Sequence, residues 1–194
     1  MNLKAALLWL ALTAPLAPAA AAVQQPAAPN AAGAAADDIA RRIISNPNPQ
    51  SYRLDGVRSG GGVRRDPGVQ GGKALRVPVL GRSEQAWSVS VAVPITRAVK
   101  AGDNLVLAFW ARLERGENGA ASSVLPDNAV QMAGAPYTAL FTGPVTIGPE
   151  CRMHELRGRA TRDYAAGELN VSIHLATARQ TVDIGPVFVL NMEQ

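Results

Sequence analysis

From Ser51 onward the chain is cut into short alternating or β-branched runs by Gly, Pro, Asp and Asn, and this spacing is its strongest constraint on fold. The runs read as strands at Tyr52–Val57, Ala74–Leu80, Trp87–Val93, Leu105–Leu113, Ala129–Met132, Tyr137–Ile147, Arg152–Ala160, Leu169–Ala176 and Thr181–Leu190. No comparably long stretch in this part keeps a 3.6-residue apolar period, so there are no helices to cover an open sheet. Strands of this length with turn chemistry between them bury their apolar faces by packing sheet on sheet. The expectation is all-β, an antiparallel β-sandwich or jelly roll. No internal repeat points to a solenoid or propeller.

The first 45 residues are of a different kind. Lys4, the apolar run Ala5–Leu12 and the small residues Ala20–Ala22 read as a secretory signal peptide over 1–22. The run is short and interrupted by Pro15 and Pro18, which argues against a transmembrane anchor. Residues 23–45 read as an Ala/Pro-rich flexible linker. Within it Asp37–Ile44 has the acids-first, arginines-last order of one or two helical turns, ended by Asn46-Pro47-Asn48-Pro49. That leaves 46–194 as one domain with a core of its own, expected in a secreted or periplasmic setting. The single cysteine, Cys151, excludes an intrachain disulfide framework.

Lys and Arg number 19 against 15 Asp and Glu. The excess is mild and the arginines are scattered along the chain, with no basic stripe carrying interleaved aromatics. A nucleic-acid partner is therefore not expected, whereas weak attraction to anionic surfaces or uronic acids fits the charge.

The segment Gly102–Leu113, GDNLVLAFWARL, separates two faces. Leu105, Leu107, Phe109, Ala111 and Leu113 share one, which suits a core; Trp110 and Arg112 share the other. A ring and a planar cation there suit a flat, hydroxyl-rich ligand, the ring by stacking and the guanidinium by paired hydrogen bonds. The competing reading packs Trp110 under a loop or against a second layer and leaves Arg112 solvated or salt-bridged. In Leu169–Ala176 the polar file Asn170, Ser172 and His174 alternates with Leu169, Val171, Ile173 and Leu175, and either meets a ligand or is a solvated face. The polar stretches Gly56–Gly72 and Glu114–Asp127 are long enough to border a site.

Catalysis finds little support. Cys151 and His154 are three apart and fall on opposite faces of a strand, and the carboxylates show no facing pair of the kind glycoside hydrolysis requires. A non-catalytic protein is expected.

GGKALRVPVLG with Trp87-Ser88-Val89, then AGDNLVLAFWARLE, PYTALFTGPVTIGPEC and LNVSIHLATARQTVDIGPVFVLN together resemble the galactose-binding-like β-sandwich of the family 4, 9 and 22 carbohydrate-binding modules. The resemblance spans roughly Gln50–Asn191. It implies a polysaccharide or oligosaccharide ligand on one concave sheet, with a polysaccharide-degrading enzyme as the usual companion. It also implies that Trp87 lines the cleft, although strand parity groups Trp87 with Val89, Val91 and Val93 as core, and that Tyr137 is a cleft tyrosine, the alternative being an ordinary strand-end residue. Where these modules often carry Ile-Asp-Asp-Val, with an acid that helps hold a structural calcium, this chain has Ile184-Gly185-Pro186-Val187, and the usual Gly-Asp/Asn-Phe-Glu opening is absent. No cofactor is therefore expected, structural calcium included. The expected carbohydrate-binding residues are Trp110, Arg112, Tyr137, His174 and Trp87. The alternative is an envelope accessory or assembly module that docks on a protein partner through the same face.

Overall fold

The structure, a computed structural model, describes residues 31–194; the expected signal peptide and the start of the linker lie outside the described residues. A helix, α1 (Ala31–Arg42), is followed by ten strands: β1 (Arg53–Asp55), β2 (Gly62–Arg65), β3 (Lys73–Val79), β4 (Ser90–Pro94), β5 (Asn104–Arg115), β6 (Ser123–Met132), β7 (Ala139–Ile147), β8 (Arg152–Arg159), β9 (Leu169–His174) and β10 (Gln180–Asn191). They form two antiparallel sheets, a front sheet in the order β1-β4-β9-β6-β7 and a back sheet in the order β2-β3-β10-β5-β8. The expected β-sandwich is the fold observed.

Alternation drives the assembly. Leu105, Leu107, Phe109, Ala111 and Leu113 of β5 are buried inward, as are Val182, Ile184, Val187 and Val189 of β10 and Leu75, Val77 and Val79 of β3. The front sheet answers with Val91 and Val93 of β4, Val171 and Ile173 of β9, and Leu125 and Val130 of β6. Burying one such side chain contributes about 1.5–3 kcal/mol relative to leaving it exposed, so the two facing sets define the sandwich.

Two register breaks are held by side chains. Between Leu125 and Asn128 the pairing of β6 with β7 shifts, and the fully buried Asn128 amide donates to the carbonyls of Leu125 and Gly143, each at 3.0 Å. Between Ile184 and Val187 the pairing of β10 with β5 shifts, and Tyr52 Oη accepts from Val187 N at 2.7 Å while donating to Pro47 O at 2.8 Å. A bulge leaves backbone groups without ladder partners, and these side chains supply them.

Several boundaries differ from those read in the sequence. Helix α1 reaches back to Ala31, into the stretch expected to be spacer; an alanine-rich run has high intrinsic helix propensity. Asp38 then sits mid-helix and pairs with Arg41 at 3.2 Å and Arg42 at 2.9 Å. Residues 43–45 belong to the sandwich rather than to a linker. Ile44 is buried, Ile44 N donates to Val189 O of the back sheet and its carbonyl accepts from Thr96 N beyond β4, so this segment straps the two sheets together. The loop expected over 56–72 contains β2, and β6 begins at Ser123, inside the stretch expected to be loop. Among the described residues no helix is long and apolar enough to cross a membrane.

Candidate functional site

The outer face of the front sheet carries a groove of about 670 Å³. Its floor follows from the register. Arg53 of β1, Ala92 of β4, Ser172 of β9 and Ala129 of β6 lie side by side in one row across four strands. One row away Asp55, Ser90 and His174 align, and on the other side Pro94, Asn170 and Gln131. The middle of the groove therefore presents Ala92 and Ser172 where larger side chains would fill the trough. Ala92, Ala129 and Ser172 are buried although they point away from the core, because the walls around them stand higher than the floor.

Those walls include two aromatic side chains. Trp87 lies on a short 3₁₀ turn, Ala86–Ser88, that delivers the chain into β4, and it is 57% exposed. Tyr137 lies in the turn between β6 and β7 at φ 56°, a left-handed conformation that a non-glycine residue rarely adopts, and is 56% exposed. Its amide donates to Gly134 O at 2.9 Å, which closes the turn. The two residues belong to opposite ends of the strands: Trp87 precedes β4 beside the His174 end of β9, and Tyr137 follows β6 beside the Leu169 end. An exposed ring held over a polar trough offers a stacking surface with little rotamer entropy to lose.

The floor is polar and close to neutral. Asp55, the one carboxylate among the described residues lining the groove, is paired with Arg53 at 2.9 Å. Burial holds the His174 imidazole below its ordinary pKa against the opposing charge of Asp127, so near pH 7 it is neutral, with one ring nitrogen to donate and one to accept. Asn170 is 8% exposed, and its side-chain oxygen has no hydrogen-bond partner within the protein. That oxygen is buried beneath the groove surface with its hydrogen-bonding capacity unmet.

The five residues expected to share a ligand divide between two faces. Trp87, Tyr137 and His174 come together at the groove. Trp110 and Arg112 do not, because β5 belongs to the back sheet and its outward side chains point away from the front one. Their surroundings explain what they do instead. Trp110 and Val69 both lie against Gly185: a Cβ there would lie 2.8 Å from Trp110 Cβ and 3.2 Å from a Val69 methyl. The glycine that stands where the resemblance expects an acid thus makes room for the indole beneath the loop carrying Val69. Arg112 donates from Nε and Nη2 to Asp183 Oδ2 at 3.0 and 2.9 Å. It is also ion-paired with Asp66 at 2.9 Å and Glu114 at 3.1 Å.

Arg76 completes this cluster, bidentate on Asp183 at 2.8 and 2.9 Å and 2.6 Å from Glu114. The Asp183 hydrogen bonds push the Arg76 pKa further up. Burial alone would raise the fully buried Asp183 carboxyl, yet the two guanidiniums hold it below the usual carboxylate range. A guanidinium so engaged has no free fork for a ligand.

Trp87 also departs from its parity with Val89, Val91 and Val93. The 3₁₀ turn interrupts the strand before Ser90, so the alternation that buries Val91 and Val93 does not extend back to Trp87. Tyr137 precedes β7 rather than opening it. The groove residues that the sequence left without a role, Arg53, Asp55, Ser90 and Gln131, sit at outward positions of their strands. Alternation marks those positions as outward, but it does not tell a groove from a solvated face. Cys151 lies in the bend before β8, and burial pushes its thiol up to about 11, which leaves it protonated at neutral pH. His154 stacks on Phe109 with ring centroids 5.8 Å apart.

No family model matches the chain, and no curated protein matches it. Solved structures do. A family 4 carbohydrate-binding module superposes with a TM-score of 0.53 at 17% identity, over 74% of this chain and 96% of that one. The second N-terminal cellulose-binding domain of a Cellulomonas fimi β-1,4-glucanase C gives 0.56 at 17% identity, over 77% and 94%. The CBM22-1 xylan-binding domain of Paenibacillus barcinonensis Xyn10C gives 0.50 at 12% identity, over 77% and 91%. The chain has the fold of carbohydrate-binding modules, the class its sequence resembles.

Proposed function

We propose that this chain is an exported, non-catalytic module that binds a polysaccharide in the groove of the front sheet. The observation that carries the reading is the trough itself: a floor of Ala92 and Ser172 walled by two half-exposed rings, Trp87 and Tyr137. A sugar ring has apolar C–H faces and a polar edge. The rings suit the faces, while His174, Asn170 and Gln131 suit the hydroxyls, an apolar site with a few placed polar groups. The Arg53–Asp55 pair leaves the groove without a spare cation, which favours an uncharged chain over a polyuronate there. The fold shared with modules described as cellulose-binding and xylan-binding supports the same reading. So does the shape, since a face that docks on protein would be broader, flatter and more apolar than this trough.

Affinity electrophoresis of the protein through gels of xylan, mixed-linkage glucan or mannan tests it. The expected result is retardation in at least one neutral glycan, lost in Trp87→Ala and weakened in Tyr137→Ala. Unchanged mobility in every glycan removes the proposal.

A further inference from the structure

The two polar stretches that the sequence marks as long enough to border a site, Gly56–Gly72 and Glu114–Asp127, do not line the groove. Each contributes instead to a hollow at the far end of the back sheet. One, of about 740 Å³, is lined by Arg115 and the turn that follows it, by Arg179 and by the end of β3. The other, of about 110 Å³, is lined by Gly56, Arg58 and Ser59 and, toward the edge of the front sheet, by Ser88, Val89 and Ala176. Pro78 and Leu80 line both, so the hollows adjoin. The register fixes the arrangement: Gln180 pairs with Val79, which sets Arg179 next to Leu80, and Thr181 pairs with both Pro78 and Arg115.

Arginines that are distant along the chain are thereby gathered round one side chain, Leu80, which is 78% exposed. Arg58, Arg115 and Arg179 are all exposed, and none has a carboxylate within 4.0 Å among the described residues. Two carboxylates line the larger hollow. Glu114 is held by Arg76 at 2.6 Å and Arg112 at 3.1 Å, which leaves Glu117 against the three arginines. The back sheet thus treats its cations in two ways: those over its middle are neutralised, while those at its end are not.

We propose that this end is a second binding site, for an acidic polysaccharide, with Arg115 and Arg179 gripping its carboxylates and Leu80 meeting the sugar's apolar face. Guanidiniums match carboxylates in geometry and bind them through charge-assisted hydrogen bonds. Nucleic acid fits less well because no aromatic ring lines either hollow to stack a base. A membrane surface fits less well because it is flat, and the site is concave with a single large exposed apolar side chain.

The experiment is affinity electrophoresis of the full chain through polygalacturonate, run beside a glycan-free gel and binding to phosphatidylglycerol vesicles. Retardation is expected in polygalacturonate and is relieved by added salt. The double variant Arg115→Gln/Arg179→Gln should bind about a hundredfold more weakly, each lost charge-assisted contact being worth about tenfold. The equal charge change Arg65→Gln/Lys73→Gln, on a pair at the opposite end of β3, should leave binding near wild type. The proposal is overturned by no retardation in polygalacturonate, by an unchanged Arg115/Arg179 variant, by an equal loss in the Arg65/Lys73 control, or by retention on the vesicles alone.

Discussion

The outer faces of the two sheets carry nearly the same kit, a tryptophan, an arginine and an acid, and use it in opposite ways. On the front sheet Trp87 stands on a turn with its ring in solvent, Arg53 and Asp55 pair at the margin, and the floor between is small. On the back sheet Trp110 and Val69 close over Gly185, and Arg112 shares Asp183 with Arg76. The residue types are those of a ligand site in both places. What separates them is the third dimension, a loop and a bulged strand that close over one face and leave the other open.

The contrast makes the middle of the back face structural, and the largest expected effect lies there. Asp183→Ala leaves Arg76 and Arg112 without their shared buried partner, which should cost about 3 kcal/mol in urea unfolding. Trp110→Ala opens a void beside Val69 and should cost a similar amount or slightly less, about 2–3 kcal/mol. Gly185→Asp restores the acid at the place where the resemblance expects one, but its Cβ meets Trp110 at 2.8 Å. A loss of about 1–3 kcal/mol is expected from overpacking. None of the three should alter glycan affinity per folded molecule; if one does, the two faces are coupled.

The smallest effect is a pH dependence. Burial lowers the folded-state pKa of both His154 and His174. The unfolded chain therefore binds protons more readily, and stability that is present above about pH 6.5 is lost as the pH falls below it. The depressed carboxyl of Asp183 adds a second loss further down, below its unfolded pKa near 3.9. Thermal unfolding midpoints measured from pH 7 to pH 4 should fall first with the histidines. In His154→Gln/His174→Gln the upper part of that fall should flatten.

Much of the architecture was legible because inward positions alternate with few interruptions. β5 and β9 can be read almost to the residue from apolar side chains at every second place, and β10 likewise on either side of its bulge. β2 was not legible: GVRR has a single apolar residue in a run of glycines and arginines, and it is a strand through pairing with β3. The first half of β6 was hidden by Pro126 and Asp127, which sit at the bulge that Asn128 stabilises.

The site was half legible for a similar reason. Parity correctly sends Trp110 and Arg112 away from the core, yet nothing local announces that Asp183, seventy-one residues on, will claim the arginine. Trp87 shows the opposite failure, since parity was extended through a turn that breaks it. The absence of a side chain at Gly185 was the available clue, a place where a glycine leaves room for a neighbour's ring.

The most direct test follows tryptophan fluorescence during titration with cellohexaose and xylohexaose in the wild type, Trp87→Phe and Trp110→Phe. If the front groove takes the ligand, the wild type changes its emission on binding, Trp110→Phe keeps the change and Trp87→Phe loses it. A change that survives in Trp87→Phe and vanishes in Trp110→Phe would place the ligand on the back face and contradict the account.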